Sequence, residues 1–390
     1  MNPILLVIGT RPEGIKMIPL YFQLKKALMP VILCATNQHT DLLQEVFDIF
    51  QVKPDIELSI MKPGQDLFHI TTETLEKIKP VFEKIQPSWV VVMGDTTTAM
   101  AASLAAFYCH IPVAHVEAGL RTSTIYAPYP EELNRRIIST VCALHFAPTS
   151  LAVGNLLAER VERRAVIHTG NTVVDALLML KEKIINGEIE VEEQLKMRVQ
   201  QKNINYRQLV LVTAHRRESF NGGIANILRA MKKAALENPD ILFFYPYHPN
   251  PNVLKAIEQE GIENINNVYL CKPLSYKNLV YLLLNVDWVA TDSGGICEEA
   301  VSLGKKVLIL REETERMEAV WAGLATLVGT EHENVFAAIK KMISQTQSSS
   351  VMQTIYGDGH AAEKMVAAFQ NFAPQSGKHQ SMQVLGHTQI

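Results

Sequence analysis

The residues able to do acid-base chemistry stand where short apolar runs end. Asp95 follows WVVVMG, Glu117 follows IPVAHV, and Glu131 and Glu132 follow Pro130 at a helix start, with Arg135 and Arg136 one turn on. Carboxylates so placed can exchange a proton with a substrate or offset a cation that forms during reaction. A second set suits anions. Arg11 and Lys16 flank a turn after ILLVI, His215 precedes Arg216 and Arg217 after LVLVT, and Asp292-Ser293-Gly294-Gly295 follows WVA and Thr291. Glycines at a helix start let a ligand reach the first backbone N–H groups, where the dipole favours negative charge, so Ser293, Gly294 and Gly295 read as a diphosphate cradle. Just inside that helix, Glu298 and Glu299 supply one carboxylate for a ribose hydroxyl pair and one favourable first-turn charge. The arginines beside His215 disfavour its imidazolium and leave a neutral donor. Cys297, also in that first turn, is expected to be a reactive thiol shielded by a bound ligand. Each residue type has an ordinary use as a cap or a solvated charge; several acids at strand ends facing one crevice are what favours a site.

The elements that hold these residues alternate. Ile4 to Ile8, Pro30 to Ala35, Trp89 to Met93, Pro112 to Val116 and runs near Leu144 and Val166 read as strands with helices between them, the first helix beginning near Ile15-Lys16. Such alternation predicts an α/β fold with a parallel sheet wound on both faces. GxGxxG is absent after the first strand, where Arg11, Pro12 and Glu13 separate Gly9 from Gly14, which argues against a nicotinamide dinucleotide site. A charged, weakly apolar stretch from Lys181 to Asn205 reads as a connector, after which six more short strands repeat the plan. The expected organisation is a Rossmann-like domain over 1–170, a second over 171–360, a helix at about 361–372 returning to the first, and a tail over 373–390 without periodicity.

Composition agrees with an enzyme of ordinary globular type: 390 residues, 47% hydrophobic and 20% charged. A formal net charge of -3 without a basic run argues against nucleic acid as a partner. No apolar stretch approaches the ~18 residues of a membrane span, and MNPILLVIGTRPEG lacks the features of a signal sequence, so a cytoplasmic protein is expected. Five cysteines without CxxC read as reduced thiols rather than a disulfide framework or a metal site.

Taken together and in order, GTRPEGIKM, GDTTTAMAASLAAFY, HVEAGLRT, PYPEELNRR, APTSLAVGNL, TGNTVVDAL, TAHRRESF, TDSGGICEEA and LREETERMEAV closely resemble the non-hydrolysing UDP-N-acetylglucosamine 2-epimerases, up to about Phe372. The resemblance implies two Rossmann-like domains of glycosyltransferase-B type with the site in the cleft between them, a homodimer, and no metal or other cofactor. It implies reversible conversion of UDP-N-acetylglucosamine to UDP-N-acetylmannosamine for surface polysaccharide synthesis. By that pattern Asp95, Glu117 and Glu131 are the catalytic acids, joined by His215. Arg11, Lys16, Ser293, Gly294, Gly295, Glu299 and Arg316 match the UDP-binding positions. Gln38, His39 and His248 match positions that bind an activating second substrate, but Asp41 and Gly64 depart from that set, so weak or absent activation is expected. Cys297, Leu279 and Met317 also depart from the pattern. Alternatives are 2-epimerisation of a related UDP-sugar such as a 2,3-diacetamido uronic acid, a hydrolysing 2-epimerase, a retaining glycosyltransferase of the same fold, or a silent UDP-sugar sensor.

Overall fold

A computed structural model describes residues 2–37, 40–62, 64–216, 220, 222–345 and 353–372, with the backbone alone at 40 and 41. The first half contains β1 (Ile4–Ile8), α1 (Arg11–Lys26), β2 (Val31–Ala35), α2 (Thr40–Phe50), β3 (Ile56–Glu57), α3 (Leu67–Ile85), β4 (Trp89–Met93), α4 (Thr97–Tyr108), β5 (Val113–Val116), α5 (Glu131–Val141), β6 (Leu144–Ala147), α6 (Ser150–Ala158) and β7 (Val166–His168). Then come α7 (Thr172–Ile185) and α8 (Glu193–Val199). The second half runs β8 (Gln208–Thr213), α9 (Gly223–Glu237), β9 (Ile241–Pro246), α10 (Pro251–Glu260), β10 (Val268–Cys271), α11 (Tyr276–Asn285), β11 (Trp288–Thr291), α12 (Gly294–Ser302), β12 (Lys306–Ile309), α13 (Met317–Trp321), β13 (Ala325–Leu327) and α14 (His332–Ser344), and α15 (Ala361–Asn371) closes the described chain.

The sheets are ordered β3-β2-β1-β4-β5-β6-β7 and β10-β9-β8-β11-β12-β13, and every pairing within them is parallel. Each reverses direction beside its first strand, between β1 and β4 in one and between β8 and β11 in the other. Those are the switch points at which a doubly wound sheet opens a crevice for ligand. The strands are near-continuous apolar runs because both faces are covered: Ile4 to Ile8 and Trp89 to Met93 are buried throughout.

The first helix begins earlier than its sequence suggests. Arg11 and Pro12 belong to the first turn of α1, where a proline is tolerated because its missing N–H would have had no partner. The buried Glu13 carboxylate accepts from Gly9 N (3.0 Å), Thr10 N (2.7 Å) and Thr10 Oγ1 (2.8 Å), and its other oxygen takes Thr96 Oγ1 at 2.7 Å. It thereby ties the loop after β1 to the loop after β4. At the far end, Phe369 of α15 lies edge-on to Trp89 (5.5 Å) and to Phe146 (5.3 Å), so this helix covers the first sheet.

Candidate active site

Every expected residue that lies among the described ones sits on the strand-end side of a sheet, in two groups that adjoin. The first group lines a cavity of about 300 Å³ between the halves, walled by Arg11 and Lys16 of α1, His215 after β8, His248 after β9, Tyr276 and Leu279 of α11, and Ser293, Gly295 and Glu299 around the start of α12. Ser293 makes no side-chain hydrogen bond to the helix it precedes, and a Cβ on Gly295 would meet nothing within 4 Å. The leading N–H groups of α12 are therefore uncapped by Ser293, and the approach over Gly295 is open. Gly294 does something else: a Cβ there would fall 2.7 Å from the Arg316 guanidinium carbon, so its small size admits that side chain. Arg11 donates to the Leu274 carbonyl at 3.1 Å and makes no ion pair among the described residues. Burial pushes Glu299 up to about 7.

His215 is held from below. Asp292, buried at the end of β11, accepts the backbone N–H groups of His215 (2.5 Å) and Arg216 (2.7 Å), and its second oxygen lies 3.3 Å from His215 Nδ1. His248 stacks on the His215 ring with centroids 5.9 Å apart. The sequence placed two arginines around this histidine; Arg217 lies outside the described residues, and the close contact is a carboxylate. Gln38 and His39, and the side chain of Asp41, are likewise outside the described residues, as is the tail over 373–390. Gly64 has a positive φ of 70°, with open space where a side chain would begin.

The second group holds the acids. Asp95 receives Arg135 through Nε (2.9 Å) and a terminal nitrogen (2.6 Å) on one oxygen. Glu117 stands at the end of β5 in the left-handed region (φ 64°), a conformation that costs a non-glycine residue on the order of 1 kcal/mol or more and gathers at functional sites. Its carboxylate is ion-paired to Lys16 and accepts Asn171 Nδ2 at 2.7 Å. Burial alone would raise the Glu117 pKa, but Lys16 and Arg316 hold it below the usual carboxylate value. Glu131, first residue of α5, is different: one carboxylate oxygen is buried with no hydrogen-bond partner.

Pairings that spacing does not show join these residues into a continuous ion network. Arg135 also meets Glu132 (3.3 Å) and Glu315 (3.6 Å); Glu315 meets Arg311 (3.0 Å) and Arg316 (3.3 Å); Arg316 meets Glu298 at 2.9 Å; and Glu298 lies 3.6 Å from Lys16. The network thus runs from Asp95 to Glu117 by way of the second half. Arg316, assigned by resemblance to the ligand, is absent from the cavity wall among the described residues and is occupied by Glu298 and Glu315. Cys297 also departs from expectation: it faces the core, and burial pushes its thiol up to about 12.

A family model described as UDP-N-acetylglucosamine 2-epimerase matches residues 23–370. The chain belongs to the UDP-N-acetylglucosamine 2-epimerase family. It is 44% identical over 371 residues to the UDP-N-acetylglucosamine 2-epimerase of Campylobacter jejuni, covering 94% of this chain and 97% of that one. To the enzyme of that name from Escherichia coli K12 it is 42% identical over 378 residues, 94% and 98% of the two chains. Among solved structures, UDP-GlcNAc 2-epimerase from Neisseria meningitidis bound to UDP-GlcNAc superposes with a TM-score of 0.87 at 41% identity, over 95% of this chain and 100% of that one. The Neisseria structure thus shares the overall fold of this chain.

Proposed function

We propose that this chain interconverts UDP-N-acetylglucosamine and UDP-N-acetylmannosamine by eliminating and re-adding UDP. The observation that carries the reading is the place of Lys16, which lines the cavity and at the same time pairs with Glu117. An anion site and an acid site therefore adjoin at one side chain. Binding of UDP-sugars by relatives supports the substrate class: the Neisseria structure holds UDP-GlcNAc, and a Methanocaldococcus jannaschii relative, 30% identical, holds UDP-GlcNAc and UDP.

The chemistry needs both groups. The C2 hydrogen of the sugar has no adjoining carbonyl, so a carboxylate alone removes it slowly. As UDP departs, C1 becomes cation-like and C2–H becomes acidic. Arg11, His215 and the start of α12 stabilise the leaving diphosphate, with Ser293 and Gly295 leaving that helix end open and Glu299 taking the ribose. Asp95 and Glu117, each fixed by a cation, oppose the charge that grows at C1. Glu131, with an unpartnered oxygen, is the acid free to carry the C2 proton. Re-addition of UDP after proton delivery to the opposite face gives the epimer.

In this reading residues 1–170 and 171–360 are the two domains, the working unit is a cytoplasmic homodimer, and the product feeds surface polysaccharide precursors. Activation by a second substrate molecule is weak or absent, because Asp41 adds an anion and Gly64 no cation where a diphosphate would bind. Incubating the protein with UDP-N-acetylglucosamine in deuterated water tests the activity by NMR: deuterium at C2 with UDP retained on the sugar is expected. Release of free sugar would mean a hydrolysing enzyme, and intact, unlabelled substrate a transferase or sensor.

A further inference from the structure

The chain passes between its halves at Gly170-Asn171 and returns at Tyr356-Gly357, and the two crossings touch. Asn171 N donates to the Tyr356 carbonyl at 2.6 Å, and a Cβ on Gly170 would lie 2.9 Å from the Gly357 Cα. The Asn171 side chain is buried and fully used. Its oxygen accepts from Val173 N (3.0 Å) and caps α7, while its amide nitrogen donates to Glu117 at 2.7 Å and to Glu298 at 3.2 Å. Glu117 belongs to the first half and Glu298 to the second. Two carboxylates brought together repel, and Lys16, the cation between them, is a point charge on a flexible stem that fixes no direction. A planar amide with two N–H bonds in fixed directions does.

We propose that Asn171 is a positioning residue for the epimerisation, orienting Glu117 through a hydrogen bond whose geometry is set by the crossing between the halves. The inference rests on Glu117 being a catalytic acid. The charged groups facing Glu117 are Lys16 from α1, Glu298 from α12 and Arg316 ahead of α13, with His115 behind it on β5.

Asn171→Asp and Asn171→Ser separate this role from the cap, since both keep a capping oxygen and neither keeps the amide N–H bonds. In both, kcat should fall about 10- to 100-fold, the scale of a slightly misplaced reacting group, with KM for UDP-N-acetylglucosamine unchanged. Loss of a donor to the ionised carboxylate should also move the acid limb of the kcat profile to higher pH, further for Asp than for Ser. UDP affinity by calorimetry should stay at the wild-type value. Wild-type kcat and pH profile in both variants would overturn the inference, and so would joint loss of turnover and UDP affinity, which a purely structural residue predicts. Glu117→Gln run in parallel distinguishes the two readings: normal turnover there removes Glu117 from the mechanism, whereas an inactive Glu117→Gln beside normal Asn171 variants removes only Asn171.

Discussion

Glu131 and Glu117 carry the same functional group in opposite circumstances, one with an oxygen that meets no donor and one enclosed by Lys16 and Asn171. Asp95→Asn, Glu117→Gln and Glu131→Gln should each lower kcat by about 10²- to 10⁴-fold, the usual worth of an acid-base group, while leaving the far-UV circular dichroism of the folded protein unchanged. Solvent deuterium wash-in should vanish first in Glu131→Gln, because that side chain is the one free to carry a proton; retained wash-in there would move the role to another acid. Cys297, by contrast, should react with iodoacetamide only on unfolding, with or without UDP, since its thiol is buried and pushed up to about 12. Position in the sequence told that it lies in the first turn of α12, but not which way the turn faces. The same limit hides the contacts of Asn171, the Arg135–Asp95 pair and the Asp292–His215 contact: each depends on a partner about 40 to 127 residues away, and spacing carries no record of such pairings.

At the scale of elements the sequence was far more legible. The strand runs other than the two-residue β3 are legible because both-face burial leaves uninterrupted apolar segments, and their ends point to most of the candidate site, since in parallel sheets loops at one edge share a crevice. The start of α1 was misread because Arg-Pro-Glu-Gly carries turn residues, yet proline suits a first helical turn and Glu13 satisfies the preceding N–H groups of Gly9 and Thr10. The two glycines opening α12 look alike in sequence and differ in space. Gly294→Ala should destabilise the fold by ~1–3 kcal/mol in urea titration, as overpacking against Arg316 does. Gly295→Ala should unfold with the wild type but bind UDP more weakly in calorimetry, because its side chain would project into open space at the cradle. Equal stability of both variants would show that Arg316 yields without cost.

Over the whole molecule, folding buries ionisable groups whose preference for charge is altered, and stability should follow pH accordingly. His115 and His145 are register partners on β5 and β6, and burial pushes them down to about 3 and about 4. The unfolded chain takes up a proton on each near pH 6.5 while the folded chain does not, so their stabilisation is whole above that pH and drains away as pH falls toward 3. Glu13, Glu298 and Glu299, raised by burial, act in the other sense, so a difference is the clean measurement. The stability advantage of the wild type over His115→Gln should shrink by about 2 kcal/mol between pH 6.5 and 5; a constant gap would place the ring in contact with water. The ion network has a further consequence. Its acids, Asp95, Glu117, Glu132, Glu298 and Glu315, are matched one for one by Lys16, Arg135, Arg136, Arg311 and Arg316. A nucleotide diphosphate therefore meets a lattice of charge already neutral within itself, and among the described residues of the cavity wall Arg11 is the Arg or Lys side chain outside that lattice. Nearby anions favour the protonated carboxyl, and Glu299, near 7 in the same cavity, is poised to accept a proton as the ligand arrives. The heat of UDP binding at pH 7 should then differ between phosphate and Tris by a fraction of their difference in ionisation enthalpy, signalling hydrogen ions drawn from the buffer; identical heats would mean that the nucleotide arrives without them.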